Sequence, residues 1–119
     1  MTRRAPGALE AEVMGVLWAA PGPVSPEQVR QQLPGDLAYT TVMTILVRLV
    51  DKGAAIRRQQ GRCYVYEPRL DQAGLTAQRM RSLLEEDRDQ PGVLSRFVEG
   101  LDPSATATLR RALGRRGGP

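Results

Sequence analysis

The chain has 119 residues, 41% of them hydrophobic but only 4% aromatic, which allows one domain or two small lobes around a small aliphatic core. A net charge of +4 and a pI of about 10.0 favour polyanionic partners such as nucleic acid. A single cysteine, Cys63, excludes an intramolecular disulfide, and the lack of histidine and of a glycine-rich phosphate loop speaks against an enzyme, a metal site or a bound cofactor. MTRRAPGALE has no apolar stretch of signal-peptide length, and no apolar run approaches the roughly 20 residues of a membrane span, so a soluble cytoplasmic protein is expected.

Residues 1–7 are expected to be disordered. A first helix is predicted from about Ala8 to Ala20, with Leu9, Val13, Val16 and Leu17 at helical spacing and Met14 and Trp18 flanking them. Pro21-Gly22-Pro23 ends it. Ser25 and Gln28 fit a capping box around Pro26, opening a short helix anchored by Val29 and Leu33. Ser25 also stands at a helix N-terminus, where the backbone can meet a phosphate.

The third helix, YTTVMTILVRLVDK over 39–52, carries the most information. Val42, Ile45, Leu46 and Leu49 make one apolar stripe. The opposite face carries Thr40, Thr44 and Arg48, with Thr41 and Val47 at its edges and Asp51 further along. Short hydroxyl side chains let a helix approach a surface closely, and an arginine can fork onto guanine or hold a phosphate. That pattern suits a recognition helix in a DNA groove. Tyr39, just ahead, can bond a phosphate or staple the helix start.

Beyond Gly53 the period changes. AAIRRQQ and RCYVYEP flank Gly61 and read as a hairpin closed by Pro68. Between Arg48 and Arg62 stand five cations (Arg48, Lys52, Arg57, Arg58, Arg62) and one acid. Arg57, Arg58 and Arg62 either reach phosphates or guard an exposed strand edge. Alternation puts Arg57 and Arg58 on opposite faces. Cys63 is either a redox sensor or, as is commoner in a strand, a small buried hydrophobe. Three helices and a hairpin in this order define a winged helix-turn-helix over residues 1–68.

Residues 69–119 contain no strand signal. One helix is predicted from Asp71 to Glu86 with Leu75, Met80, Leu83 and Leu84. The acidic cluster Glu85–Asp89 leads as a hydrophilic linker into Pro91-Gly92. A second helix follows over Val93–Leu101, with Val93, Leu94, Phe97, Val98 and Leu101. Asp102-Pro103 starts a third, with Ala105, Leu109, Ala112 and Leu113 in line. Three short helices cannot easily bury these faces alone, so a helical dimerisation region is expected. The fold class is mainly α with a small β hairpin.

GDLAYTTVMTILVRLVDKGAAIRR followed by GRCYVYEP resembles the penicillinase-repressor family (BlaI/MecI/CopY), most closely its actinobacterial members, and LEAEVMGVLW is similar to that family's first helix. The resemblance implies a cytoplasmic homodimeric repressor whose winged helix binds half of a palindromic operator in double-stranded DNA. It implies DNA contacts at Thr40, Thr41, Thr44 and Arg48. In the family, a membrane sensor triggers cleavage just before a phenylalanine in the dimerisation region, usually after asparagine. The matching bond here is Arg96–Phe97, with arginine in that place. The paired C-terminal cysteines of the copper-responsive branch have no counterpart. The residues themselves leave two other readings open: a winged-helix protein-interaction adaptor, and a ligand- or redox-sensing regulator.

Overall fold

The computed structural model describes residues 7–116. The disorder expected for residues 1–7 lies outside them, except at Gly7, which caps the first helix with φ 80°. The elements in chain order are α1 (Ala8–Ala19), α2 (Pro26–Gln32), α3 (Tyr39–Asp51), β1 (Ala55–Gln60), β2 (Cys63–Pro68), α4 (Gln72–Glu86), α5 (Gln90–Glu99) and α6 (Pro103–Arg116). No helix among the described residues is long and apolar enough to cross a membrane. The chain divides into two compact units, the first ending at Thr76 and the second starting at Ala77. The first unit thus continues past Pro68 into the opening turns of α4.

In the first unit, Val13, Met14 and Leu17 of α1 meet Val29 and Leu33 from the α2 segment and Val42, Ile45, Leu46 and Leu49 of α3. Ala54, Ala55, Tyr66 and Leu75 complete this core. Met14, expected at the flank of the α1 stripe, is fully buried within it. The capping box of α2 forms in both directions: Ser25 N–H donates to Gln28 Oε1 at 2.8 Å, and Gln28 N–H to Ser25 Oγ at 3.2 Å. Such a cap contributes about 1 kcal/mol. Gly53, with φ 77°, ends α3 in the left-handed region open to glycine.

β1 and β2 pair antiparallel, with Arg57 opposite Tyr66, Arg58 opposite Val65 and Gln60 opposite Cys63. The loop is therefore Gly61-Arg62. Of these two residues Gly61 has positive φ (64°) and Arg62 does not, the pattern of a type II′ turn. The far edge of β2 is also occupied. Val24 N–H donates to Tyr66 O at 2.9 Å, and Tyr66 N–H to Val24 O at 2.8 Å. The Pro21–Pro23 segment, read from sequence only as a helix stop, thus delivers a one-residue bridge that covers an open strand edge.

Leu75 corrects an expectation. Grouped by sequence with the dimerisation face, it is 3% exposed and belongs to the core of the first unit. It stands one turn into α4, where the chain still packs on the winged helix. Two bonds fix this entry: Arg69 and Leu70 both donate their amides to Ala54 O. Trp18 Nε1 donates to Leu70 O at 2.8 Å.

In the second unit α5 starts earlier than predicted, at Gln90. Pro91-Gly92 was expected to precede the helix. It lies in the first turn instead, where proline needs no amide partner, and Asp89 caps by accepting from Gly92 N–H at 3.0 Å. Asp102 caps α6 as expected, accepting from Ala105 N–H at 2.7 Å. No described residue from 77 to 116 is buried.

Candidate nucleic-acid interface

Four buried side chains set the rotation of α3 about its axis. Val42, Ile45, Leu46 and Leu49 are all at or below 7% exposure, and each contributes roughly 1.5–3 kcal/mol by leaving water. Rotating the helix would expose them. The outward face is therefore fixed as Thr40, Thr41, Thr44, Val47, Arg48 and Asp51, every one exposed.

The N-terminus of α3 is open. Ala38 occupies the cap position without a side-chain hydrogen bond, and the threonines do not cap. Thr41 and Val42 amides return to Ala38 O, but those of Tyr39 and Thr40 bond to no described group. Unpaired amides and the positive end of the helix dipole point the same way. Thr44 Oγ1 donates to Thr40 O at 2.9 Å. Its hydroxyl proton is thereby committed, and the oxygen is left as an acceptor. Arg48 makes no ion pair with any described residue, whereas Lys52 Nζ lies 3.0 Å from both carboxylate oxygens of Glu10 and ties the end of α3 to α1.

The three arginines of the hairpin are in three different states. Arg57 stacks its guanidinium 4.2 Å from the centroid of the Tyr64 ring, within cation–π range. Arg58 is ion-paired with Glu67 across the strands. Arg62, in the turn, has no described ion-pair partner and is exposed. Tyr39 and Tyr64 are about half exposed. Tyr66 is buried at 1%, and burial pushes its phenol above its ordinary pKa, with the nearby Arg57 charge pulling the other way. Cys63, expected as a buried strand residue, is exposed instead. It pairs with Gln60 at the last rung before the turn, beyond the reach of the core.

The Arg57–Tyr64 stack was not anticipated. It follows from register: a two-residue loop puts Arg57 opposite Tyr66 and diagonal to Tyr64. The signal for it in the sequence is the loop length, two residues at Gly61-Arg62.

Of the side chains expected at a dimer face, Met80, Leu83, Leu94, Phe97, Val98 and Leu113 are exposed. Leu84, Val93, Leu101 and Leu109 are half-buried. The Arg96–Phe97 bond lies inside α5 with both side chains exposed. A hydrogen-bonded turn must open before a protease can take it.

The sequence pattern of the family described as penicillinase repressor matches residues 6–115. Over 112 residues the chain is 37% identical to the transcriptional regulator BlaI of Mycobacterium tuberculosis, covering 90% of this chain and 81% of that one. It is 31% identical over 91 residues to the penicillinase repressor of Bacillus licheniformis, covering 75% and 69%. Among solved structures, the Giardia lamblia Hop2-Mnd1 complex aligns over 91% of this chain and 74% of that chain, with a TM-score of 0.46 and 17% identity.

Proposed function

The chain belongs to the penicillinase repressor family of transcriptional regulators, and we propose that it acts as a homodimer on a palindromic operator in duplex DNA, in the cytoplasm. The observation that carries this reading is the outward face of α3. It presents three threonines, a valine and an arginine without an ion pair, with Asp51 at its far end, held in one orientation by a buried stripe. A groove-entering helix needs small side chains, hydrogen-bonding groups and a fixed rotation.

The roles divide by geometry. The open amides of Tyr39 and Thr40 bind a backbone phosphate at the helix start. Thr44 accepts from a base-edge amino group, because its own proton is held by Thr40 O. Arg48 forks onto a base or a phosphate one turn further in. Arg62, the unpaired cation of the wing, takes a flanking phosphate. Arg58 contributes less, since Glu67 already neutralises it.

Homodimerisation rests on the second unit. Its apolar residues at helical spacing are left at the surface, Leu83 at 70% and Leu113 at 59% exposure. Apolar faces of this extent mark an interaction surface. A second copy brings a matching face and sets two winged helices on one operator.

The test is selection of bound sequences from a random duplex library at physiological salt. The expected result is a motif of two inverted half-sites, with centres about one helical turn or a multiple apart. Recovery of no motif, with binding insensitive to salt, would favour a protein-interaction adaptor and end the operator reading.

A further inference from the structure

Between α3 and the wing lies a cleft of about 60 Å³, lined by Val47, Val50, Asp51, Arg57 and Tyr66. Its volume is well above the roughly 10–15 Å³ that one water molecule requires. The Tyr66 hydroxyl is buried; Arg57 is the side chain placed to donate to its oxygen, and its proton has no acceptor among the described residues. Buried hydroxyls are rarely left in that condition, because desolvation without a partner is unfavourable. The polar groups available to it here are of complementary kinds. Arg57 carries donors only and is near the phenol, stacked on Tyr64. Asp51 carries a carboxylate that only accepts. A phenol both donates and accepts, so it fits between the two.

We propose that Tyr66 is a positioning residue of the DNA-facing surface: its oxygen accepts from Arg57, and its proton is donated to a water bound in this cleft, which donates in turn to Asp51. The chain Arg57 to Tyr66 to water to Asp51 joins the wing to the last turn of α3. It holds the hairpin at one angle to the recognition helix. Arg57 is then a strut of the interface, held by the Tyr64 face and the Tyr66 hydroxyl, while Arg62 stays free for phosphate. The role in DNA binding rests on the operator reading above; the lock itself does not.

The full chain is compared with Tyr66→Phe, Asp51→Ala and the double variant, without DNA. Each single change is expected to lower the melting temperature and to speed amide exchange in β1 and β2 by roughly two- to tenfold. The double variant should show less than the sum of the two. If Tyr66→Phe leaves the melting temperature unchanged or raises it, or the effects add, the lock is overturned. Should Tyr66→Phe fail to fold, Asp51→Ala decides alone, since it removes the acceptor of an exposed side chain: unaltered exchange in the hairpin overturns the proposal.

On the palindromic duplex recovered by selection, Tyr66→Phe is measured well below its melting temperature. Affinity should fall roughly two- to tenfold with an unchanged salt slope, because no charge is lost. Equal affinity would overturn the positioning role. A wild-type chain that binds no duplex removes the operator reading, and the exchange and melting results still decide the lock.

Discussion

In the unit ending at Thr76, α1, α2, α3 and the hairpin close a core that includes Val13, Leu17, Leu46, Leu49 and Tyr66, while from Ala77 onward no described side chain is buried. The two regions nevertheless look alike as sequence. Each carries aliphatic residues at helical spacing, and each has side-chain caps, Ser25 in the first and Asp89 and Asp102 in the second. The difference lies in what covers the stripes. The single helix α4 illustrates it, with Leu75 at 3% and Leu83 at 70% exposure. Periodicity identifies which side of a helix wants cover. It does not identify the cover.

That contrast predicts different responses to the same kind of change. Leu46→Ala, in the closed core, should cost about 2–5 kcal/mol in denaturant unfolding. A cost below 1 kcal/mol would mean that α3 is not packed as described. Phe97→Ala, in the open region, should weaken self-association by about 1.5–3 kcal/mol per copy. Sedimentation equilibrium reads this directly. The unfolding of the first unit should not change, and a chain that is monomeric before the substitution would refute the pairing of copies.

Smaller effects sharpen the picture within the first unit. Arg48→Ala should weaken operator binding by about 1–3 kcal/mol if the arginine reads a base, and should leave stability within about 0.5 kcal/mol. Fluorescence anisotropy on operator variants separates a base contact, which relaxes one position, from a phosphate contact, which weakens all. Arg62→Ala should reduce the slope of log affinity against log salt by about one. Arg58→Ala should reduce it less, since its partner Glu67 already balances its charge. Equal slopes for the two variants would mean that the ion pair opens on DNA.

The winged helix was legible because its signals are local. Ser25, Pro26 and Gln28 announce α2, and the threonine-rich face announces the outward side of α3. Gly61 announces the turn. The features that escaped are set by contacts between segments distant in sequence. Val24 reaches Tyr66 across the whole of α2 and α3. Leu75 is separated from the core it joins by the hairpin. Cys63 reads as buried by residue type, yet register places it beside the turn. Pro91-Gly92 misled for a different reason, since the same dipeptide can stop one helix or start the next. In the candidate site, the types of residue were apparent from sequence. The state of each arginine (stacked, paired or free) depends on register and was not.

The hydrogen bond from Trp18 to Leu70 O joins α1 to the strand-to-helix connector before α4. This is the sole indole in the chain. Its emission therefore samples one joint and no other. A shift in wavelength or quenching when duplex is added would signal strain arriving at that joint, read in the unlabelled protein.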